Sequence, residues 1–216
     1  MSKLLIKPAA TNQIHQVTPQ SAGWNYVGFA VHDLAVGETL QCQQAGRELC
    51  IVILTGTANI SVGLQSWTGV GGRGSVFVDQ PPGAVYVPAG EAVSIMALDA
   101  IEVAVCSAPG QGNSGSARLI DVATMSQEVR GKGTNTRYVR NILPETEAAD
   151  GLLVVEVITP SGHWSSYPPH KHDRDASPEE TLLEETYYHR LSPVSGYAHQ
   201  RVYTDDRSLD ETLSAE

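Results

Sequence analysis

The chain has 216 residues, with 24 Asp and Glu against 14 Lys and Arg and a formal charge of −10. No basic run is available to neutralise phosphates, which excludes a nucleic-acid binder and disfavours an anionic membrane surface. With 41% hydrophobic and 18% charged residues the composition is globular rather than disordered, and the length suits one large or two small domains.

At the start, Met1-Ser2-Lys3-Leu4-Leu5-Ile6-Lys7-Pro8 breaks its apolar run after three residues, so no secretory signal is expected. The longest apolar runs, such as Ile51 to Leu54, are strand-sized, and no membrane span is expected. Cys42, Cys50 and Cys106 show no CxxC spacing and read as reduced, partly buried thiols, which suits a cytoplasmic location.

Glycine (20) and proline (12) punctuate short runs rich in Val, Ile, Leu, Thr and Tyr, a texture that predicts an all-β protein. In chain order the expected strands are Tyr26 to Val31, Cys50 to Leu54, Ala58 to Val62, Ser75 to Val78, Ala84 to Val87, Val93 to Ala97, Glu102 to Cys106, Leu152 to Ile158, Glu185 to His189 and His199 to Tyr203. Turn residues follow most of them, which is the spacing of a sandwich or barrel built from hairpins. Residues 109–117, rich in Gly and Ser, read as a linker between an N-terminal unit (1–108) and a C-terminal unit (118–216). A weak repeat is visible: Glu48, strand, Gly56 turn and return strand are matched by Glu185, strand, Gly196 turn and return strand, which suggests duplication.

Of the seven histidines, His163, His170, His172, His189 and His199 fall in one C-terminal window. In Pro168-Pro169-His170-Lys171-His172 the imidazoles are two residues apart, so on a strand both face one side and Lys171 the other. Two such nitrogens can share a divalent metal, and a carboxylate from a neighbouring strand would complete the set. Alternation forbids Glu184 and Glu185 from both facing it. Glu185 is the expected ligand, because Tyr187 and His189 then share its face. Zinc is the expected metal, with manganese or iron as alternatives. His15 and His32 have no companion at ligand spacing and read as structural, while His163 and His199 read as surface or supporting residues.

Gly162, His170, His172, Glu185 and Gly196 together resemble the cupin motif, with Asp173 to Leu183 inserted between the histidines and the acid. More specifically, the chain resembles the 5-deoxy-glucuronate isomerase family, a bicupin family of bacterial myo-inositol catabolism. The resemblance rests on Gly23-Trp24-Asn25-Tyr26-Val27-Gly28-Phe29, on Arg47-Glu48, on Val85-Tyr86-Val87-Pro88-Ala89-Gly90, on the block from Trp164 to Asp173, on Glu184 to Arg190 and on Gln200 to Asp206. It implies two jelly-roll barrels, the first a degenerate cupin without metal, since Val93 stands where a histidine would be expected. It also implies that the chain is short at its C-terminus, because cupins draw a fourth histidine from a later strand and none follows His199. A chain short in this way is expected to be a poor isomerase.

The reaction implied by the resemblance moves a carbonyl from C1 to C2 of an open-chain uronic acid through an enediol. His189, with Tyr187 beside it, is the expected proton-transfer group, and Arg201 with Tyr203 the expected grip on the substrate's carboxylate. A small sugar acid is the expected partner, and a homo-oligomer is compatible with the sequence. Two other readings are an Fe(II)-dependent cupin oxygenase using the same ligands and a sugar-binding cupin without turnover.

Overall fold

The computed structural model describes residues 2–216. Strand β1 (Gln13–Val17) is followed by the four-residue helix α1 (Pro19–Ala22), β2 (Gly28–Leu34), β3 (Thr39–Cys42), β4 (Arg47–Val62), β5 (Gln65–Arg73), β6 (Gly83–Val87), β7 (Val93–Ala97), β8 (Ile101–Pro109) and β9 (Arg118–Ile120). Then come β10 (Gln127–Arg130), β11 (Arg137–Leu143), β12 (Val154–Ile158), β13 (Ala198–Tyr203) and β14 (Asp210–Ala215). The chain is nearly all β, as its composition predicts, and the strand pairs are antiparallel.

The long β4 organises the first half. Its leading part lies between β8 and β6 in the sheet β1-β2-β8-β4-β6-β9, and its trailing part lies between β5 and β7, with β3 beyond β7. The expected hairpin at Gly56 is therefore absent: Cys50 to Leu54 and Ala58 to Val62 belong to one strand. Gly56 sits at φ +77°, and a Cβ there would lie 2.5 Å from the Ala100 carbonyl oxygen. The Asp99 carboxylate accepts from the Thr57 N–H at 2.7 Å, and the ladder slips register beside the glycine. Gly56 thus bends β4 from one sheet into the other instead of reversing it. The duplicated-hairpin pattern fails with it.

Alternation along β4 fills two cores. Leu49, Ile51 and Ile53 point between the two sheets, where they meet Ile60, Val62, Val85, Val87, Val93, Ile95, Val103 and Val105. Cys50 and Val52 point to the other face, with Val31, Ala84, Tyr86 and Ala104, and there meet Met125, Ile142, Leu143 and Leu152 from the second half. A fully buried aliphatic side chain contributes about 1.5–3 kcal/mol, so a sheet buried on both faces contributes heavily to the stability of the fold. All three cysteines are free, and burial pushes the thiols of Cys50 and Cys106 up.

The segment read as a linker is held down. Pro109 is still paired with Arg47 in the sheet, the Asp150 carboxylate accepts from the N–H groups of Gln111 (2.6 Å) and Gly112 (2.9 Å), and Ala117 lies in the first core. Arg118 to Ile120, expected to open the second unit, instead pairs as β9 with β6 of the first. Two polar clusters also cross between the halves. Buried Glu48 accepts from the Tyr86 hydroxyl (2.6 Å) and from the N–H groups of Asp150 (2.8 Å) and Gly151 (2.6 Å). Buried Arg73 on β5 and Arg140 on β11 share the Glu156 carboxylate of β12, at 2.6 and 2.7 Å.

The second half holds the three-stranded sheet β10-β11-β12 and the hairpin β13-β14, with the histidine-rich segment between β12 and β13. Neither Pro168 to His172 nor Glu185 to His189 pairs as a strand, which corrects the expectation for both. Ser75 to Val78 is likewise a turn, in which the Val78 N–H reaches the Ser75 carbonyl at 3.4 Å. No helix among the described residues is long and apolar enough to cross a membrane.

Candidate metal centre

Although no ladder holds it, the segment from Glu184 to Arg190 keeps a strict period of two. The even-numbered residues face the N-terminal sheet. Glu184 accepts from the backbone N–H groups of Asn25 (2.8 Å), Tyr26 (2.8 Å) and Val27 (3.0 Å). The Tyr188 hydroxyl donates to Glu102 at 2.9 Å, its ring packs against His15 and Phe29, and Arg190 pairs with the same Glu102. Burial, then Glu102, push the Tyr188 phenol up to about 12.

The odd-numbered residues face the other way. The Tyr187 hydroxyl donates to Glu185 Oε2 at 3.0 Å, and the Tyr187 and His189 rings stack at 6.3 Å between centroids and 15° between planes. His189 Nε2 lies 3.0 Å from Gln200 Oε1, which only accepts, so in the neutral imidazole this contact places the proton on Nε2 and leaves Nδ1 as the acceptor. Burial, then the Glu185 carboxylate, raise the Tyr187 phenol above its ordinary range, so it remains a donor.

Opposite Glu185 stand His170 and His172, their rings 5.1 Å apart and edge-on. Ligand atoms of His170, His172 and Glu185 all lie within 4.8 Å of one another. His172 Nδ1 donates to the Thr181 carbonyl oxygen at 2.9 Å, leaving Nε2 with its lone pair, and His170 Nε2 lies 3.2 Å from the Ser166 hydroxyl. Lys171 points away, to Asp205 and Glu180, as period-two alternation requires. Glu180 closes the loop by accepting from the N–H groups of Asp173 (2.7 Å) and Arg174 (2.8 Å). Two imidazole nitrogens and a carboxylate oxygen, each steadied by a neighbour, form a donor set that fits a divalent transition metal.

Arg201 and Tyr203 are not part of this group. Gln200 of β13 faces His189, so Arg201 and Tyr203 lie on the opposite side of the strand. The Arg201 guanidinium makes a two-bond pair with Asp210 (2.8 and 2.7 Å), and Tyr203 lies beneath Arg201 and Arg207. The grip on a substrate carboxylate expected of them is thus taken up by a cross-strand pair of the β13-β14 hairpin. His199 turns the same way, to Ser214, while His163 meets the Thr136 carbonyl oxygen at 2.8 Å. His15 packs on Tyr188, and burial lowers the pKa of both His15 and His32.

Sequence reading missed Glu180, Thr181, Glu184 and Gln200. The alternation that placed Glu185 also placed Glu184 on the opposite face, and that signal was present. Its partners were not legible, because backbone N–H groups leave no mark in the residue types.

Residues 4–216 match the KduI/IolB family. The chain is 52% identical over 216 residues to the 5-deoxy-glucuronate isomerase of Geobacillus kaustophilus (strain HTA426), covering 99% of this chain and 78% of that protein. It is 42% identical over 224 residues to that of Listeria monocytogenes serovar 1/2a, covering 82% of it. The crystal structure of an IolB-like protein from Salmonella typhimurium LT2 superposes with a TM-score of 0.95 at 45% identity, covering 98% of this chain and 81% of that one. The chain belongs to the KduI/IolB family.

Proposed function

We propose that the chain is an intramolecular oxidoreductase that converts 5-deoxy-glucuronate to 5-dehydro-2-deoxy-gluconate in the breakdown of inositol. The observation that carries this reading is the convergence of His170, His172 and Glu185 beside Tyr187 and His189. The 5-deoxy-glucuronate isomerases similar to it along nearly its whole length support the choice of substrate.

An aldose–ketose shift needs a base for the C2 proton, a donor that returns a proton to C1, and stabilisation of charge on the two oxygens in between. His170, His172 and Glu185 would hold a divalent ion, zinc in this reading, which supplies Lewis-acid stabilisation of that charge when bound. His189 has the tautomer a base requires, with Nδ1 free and Nε2–H fixed by Gln200. Tyr187 does two things: it orients Glu185 through its hydroxyl and holds the imidazole through its ring. The imidazolium of His189 then returns the proton to C1 while the O2 hydroxyl proton passes to O1, leaving the carbonyl at C2, so one group serves both carbon steps.

Incubation with 5-deoxy-glucuronate under nitrogen and under air, followed by proton NMR, tests the proposal. Loss of the aldehyde signal with matching growth of a ketone product at equal rates in both atmospheres is expected. A product formed only in air would mark an oxygenase, and an unchanged spectrum would mark a protein without turnover; either overturns the reading.

A further inference from the structure

The N-terminal motifs Gly23 to Phe29 and Arg47-Glu48 take no part in the chemistry above, yet the first meets the C-terminal segment that carries it, and Arg47 braces the first. We infer that they build a carboxylate socket for Glu184 and that Glu184 is a positioning residue, fixing where Glu185, Tyr187 and His189 stand. The inference rests on the metal reading just given.

The socket consists of three successive backbone N–H groups, those of Asn25, Tyr26 and Val27, all within 3.0 Å of Glu184 oxygens. Successive amides turned to one point form an anion-binding concavity. Its back wall is Arg47, whose guanidinium donates to the Tyr26 carbonyl oxygen (2.5 Å) and the Ser107 carbonyl oxygen (3.0 Å). Gly28 makes room for that wall, since a Cβ there would lie 2.5 Å from Ser107 Oγ and 3.2 Å from the Arg47 guanidinium. Burial works against the charge on Glu184, but the three amides together with Arg47 outweigh it and hold the carboxyl below its ordinary range.

The consequence for the site follows from the absence of a ladder. A strand paired in a sheet takes its register from backbone hydrogen bonds, and Glu184 to Arg190 has none of that kind. Its register is set by side chains of the even-numbered residues: Glu184 in the socket at one end, Tyr188 and Arg190 on Glu102 at the other. Because residues alternate, locking the even positions aims the odd ones. A slip of one residue would exchange the Glu185 and Glu184 faces and remove the carboxylate from His170 and His172.

Two single variants, Glu184→Gln and Arg47→Gln, and the double variant test this in the full chain. Zinc affinity is measured by competition with a chromophoric chelator, catalysis by steady-state kinetics at saturating zinc, and the socket by backbone amide hydrogen exchange over residues 25–27, whose N–H groups Glu184 holds. The expected result for Glu184→Gln is faster exchange in that segment, zinc affinity lower by about ten- to a hundredfold, and a fall in kcat with KM nearly unchanged. Arg47→Gln gives a smaller effect of the same kind, and the double variant adds less than the sum of the two. Unchanged exchange, or faster exchange with unchanged zinc affinity and kcat, overturns the inference. Wild-type chain that binds no zinc overturns the metal reading instead, and the exchange arm alone then decides whether Glu184 fills the socket.

Discussion

His189 and Tyr187 illustrate how much of a side chain's chemistry is decided by its second partner. In the proposed reaction the imidazole acts as the base at Nδ1 while Nε2 bonds Gln200, and burial, then Glu185, keep the tyrosine protonated. Replacing His189 by Gln would remove the proposed base without touching the ligand set. The expected outcome is a fall in kcat on the order of a hundredfold or more with zinc content unchanged, checked by steady-state kinetics and metal analysis on the same preparation. Arg201 is the contrary case. Its residue type suited a carboxylate, but a guanidinium finds whichever carboxylate is nearer, and Asp210 lies diagonally across the hairpin, opposite Tyr203.

At the scale of elements, glycines decide where strands bend and where they meet. Gly83 of β6 approaches β5 so closely that a Cβ would lie 2.3 Å from the Gly71 nitrogen, a backbone atom that cannot swing aside. Gly83→Ala should therefore destabilise by about 1–3 kcal/mol or more, read as a lowered midpoint in urea. Loops carry comparable information. The Ser114 hydroxyl, with the N–H groups of Gln111, Gly112 and Asn113, holds the Asp150 carboxyl below its ordinary range despite some desolvation. A carboxyl depressed on folding stabilises the fold above its unfolded value, and that contribution is lost as pH falls through the lowered folded value. Thermal midpoints of wild type and Asp150→Asn should differ at pH 6 and converge below the ordinary aspartate range. A constant gap would show that Asp150 contributes by some other route.

These elements also show what could be read in advance. Val93 to Ala97 was legible to the residue, because its apolar positions and flanking turns agree with its place between β3 and β4. The His170 and His172 pair was legible because alternation is a property of extended backbone, whether or not a ladder forms. Gly56 was misread because a glycine that bends a strand and a glycine that reverses it look alike in sequence; only the distant Asp99 and Ala100 distinguish them. Residues 109–117 look like a linker by composition, and what ties them down is Asp150, dozens of positions later.

For the whole molecule, the halves are joined by a shared core and by the cluster of Arg73, Arg140 and Glu156. Both arginines are buried, and Glu156 is the carboxylate they share, while Asp79, the other partner of Arg140, is exposed. Glu156→Gln would leave two buried guanidinium groups facing one another without their common counter-charge. The expected cost is about 3–5 kcal/mol, measured by chemical denaturation, with loss of cooperativity between the halves.

The central claim is that these halves together present one metal-binding group made of His170, His172 and Glu185, and zinc content measures it most directly. After zinc loading and desalting, wild-type chain should retain close to one equivalent, and the His170→Ala/His172→Ala variant almost none, with both giving the same far-ultraviolet circular dichroism. Equal zinc in the two proteins would contradict the account.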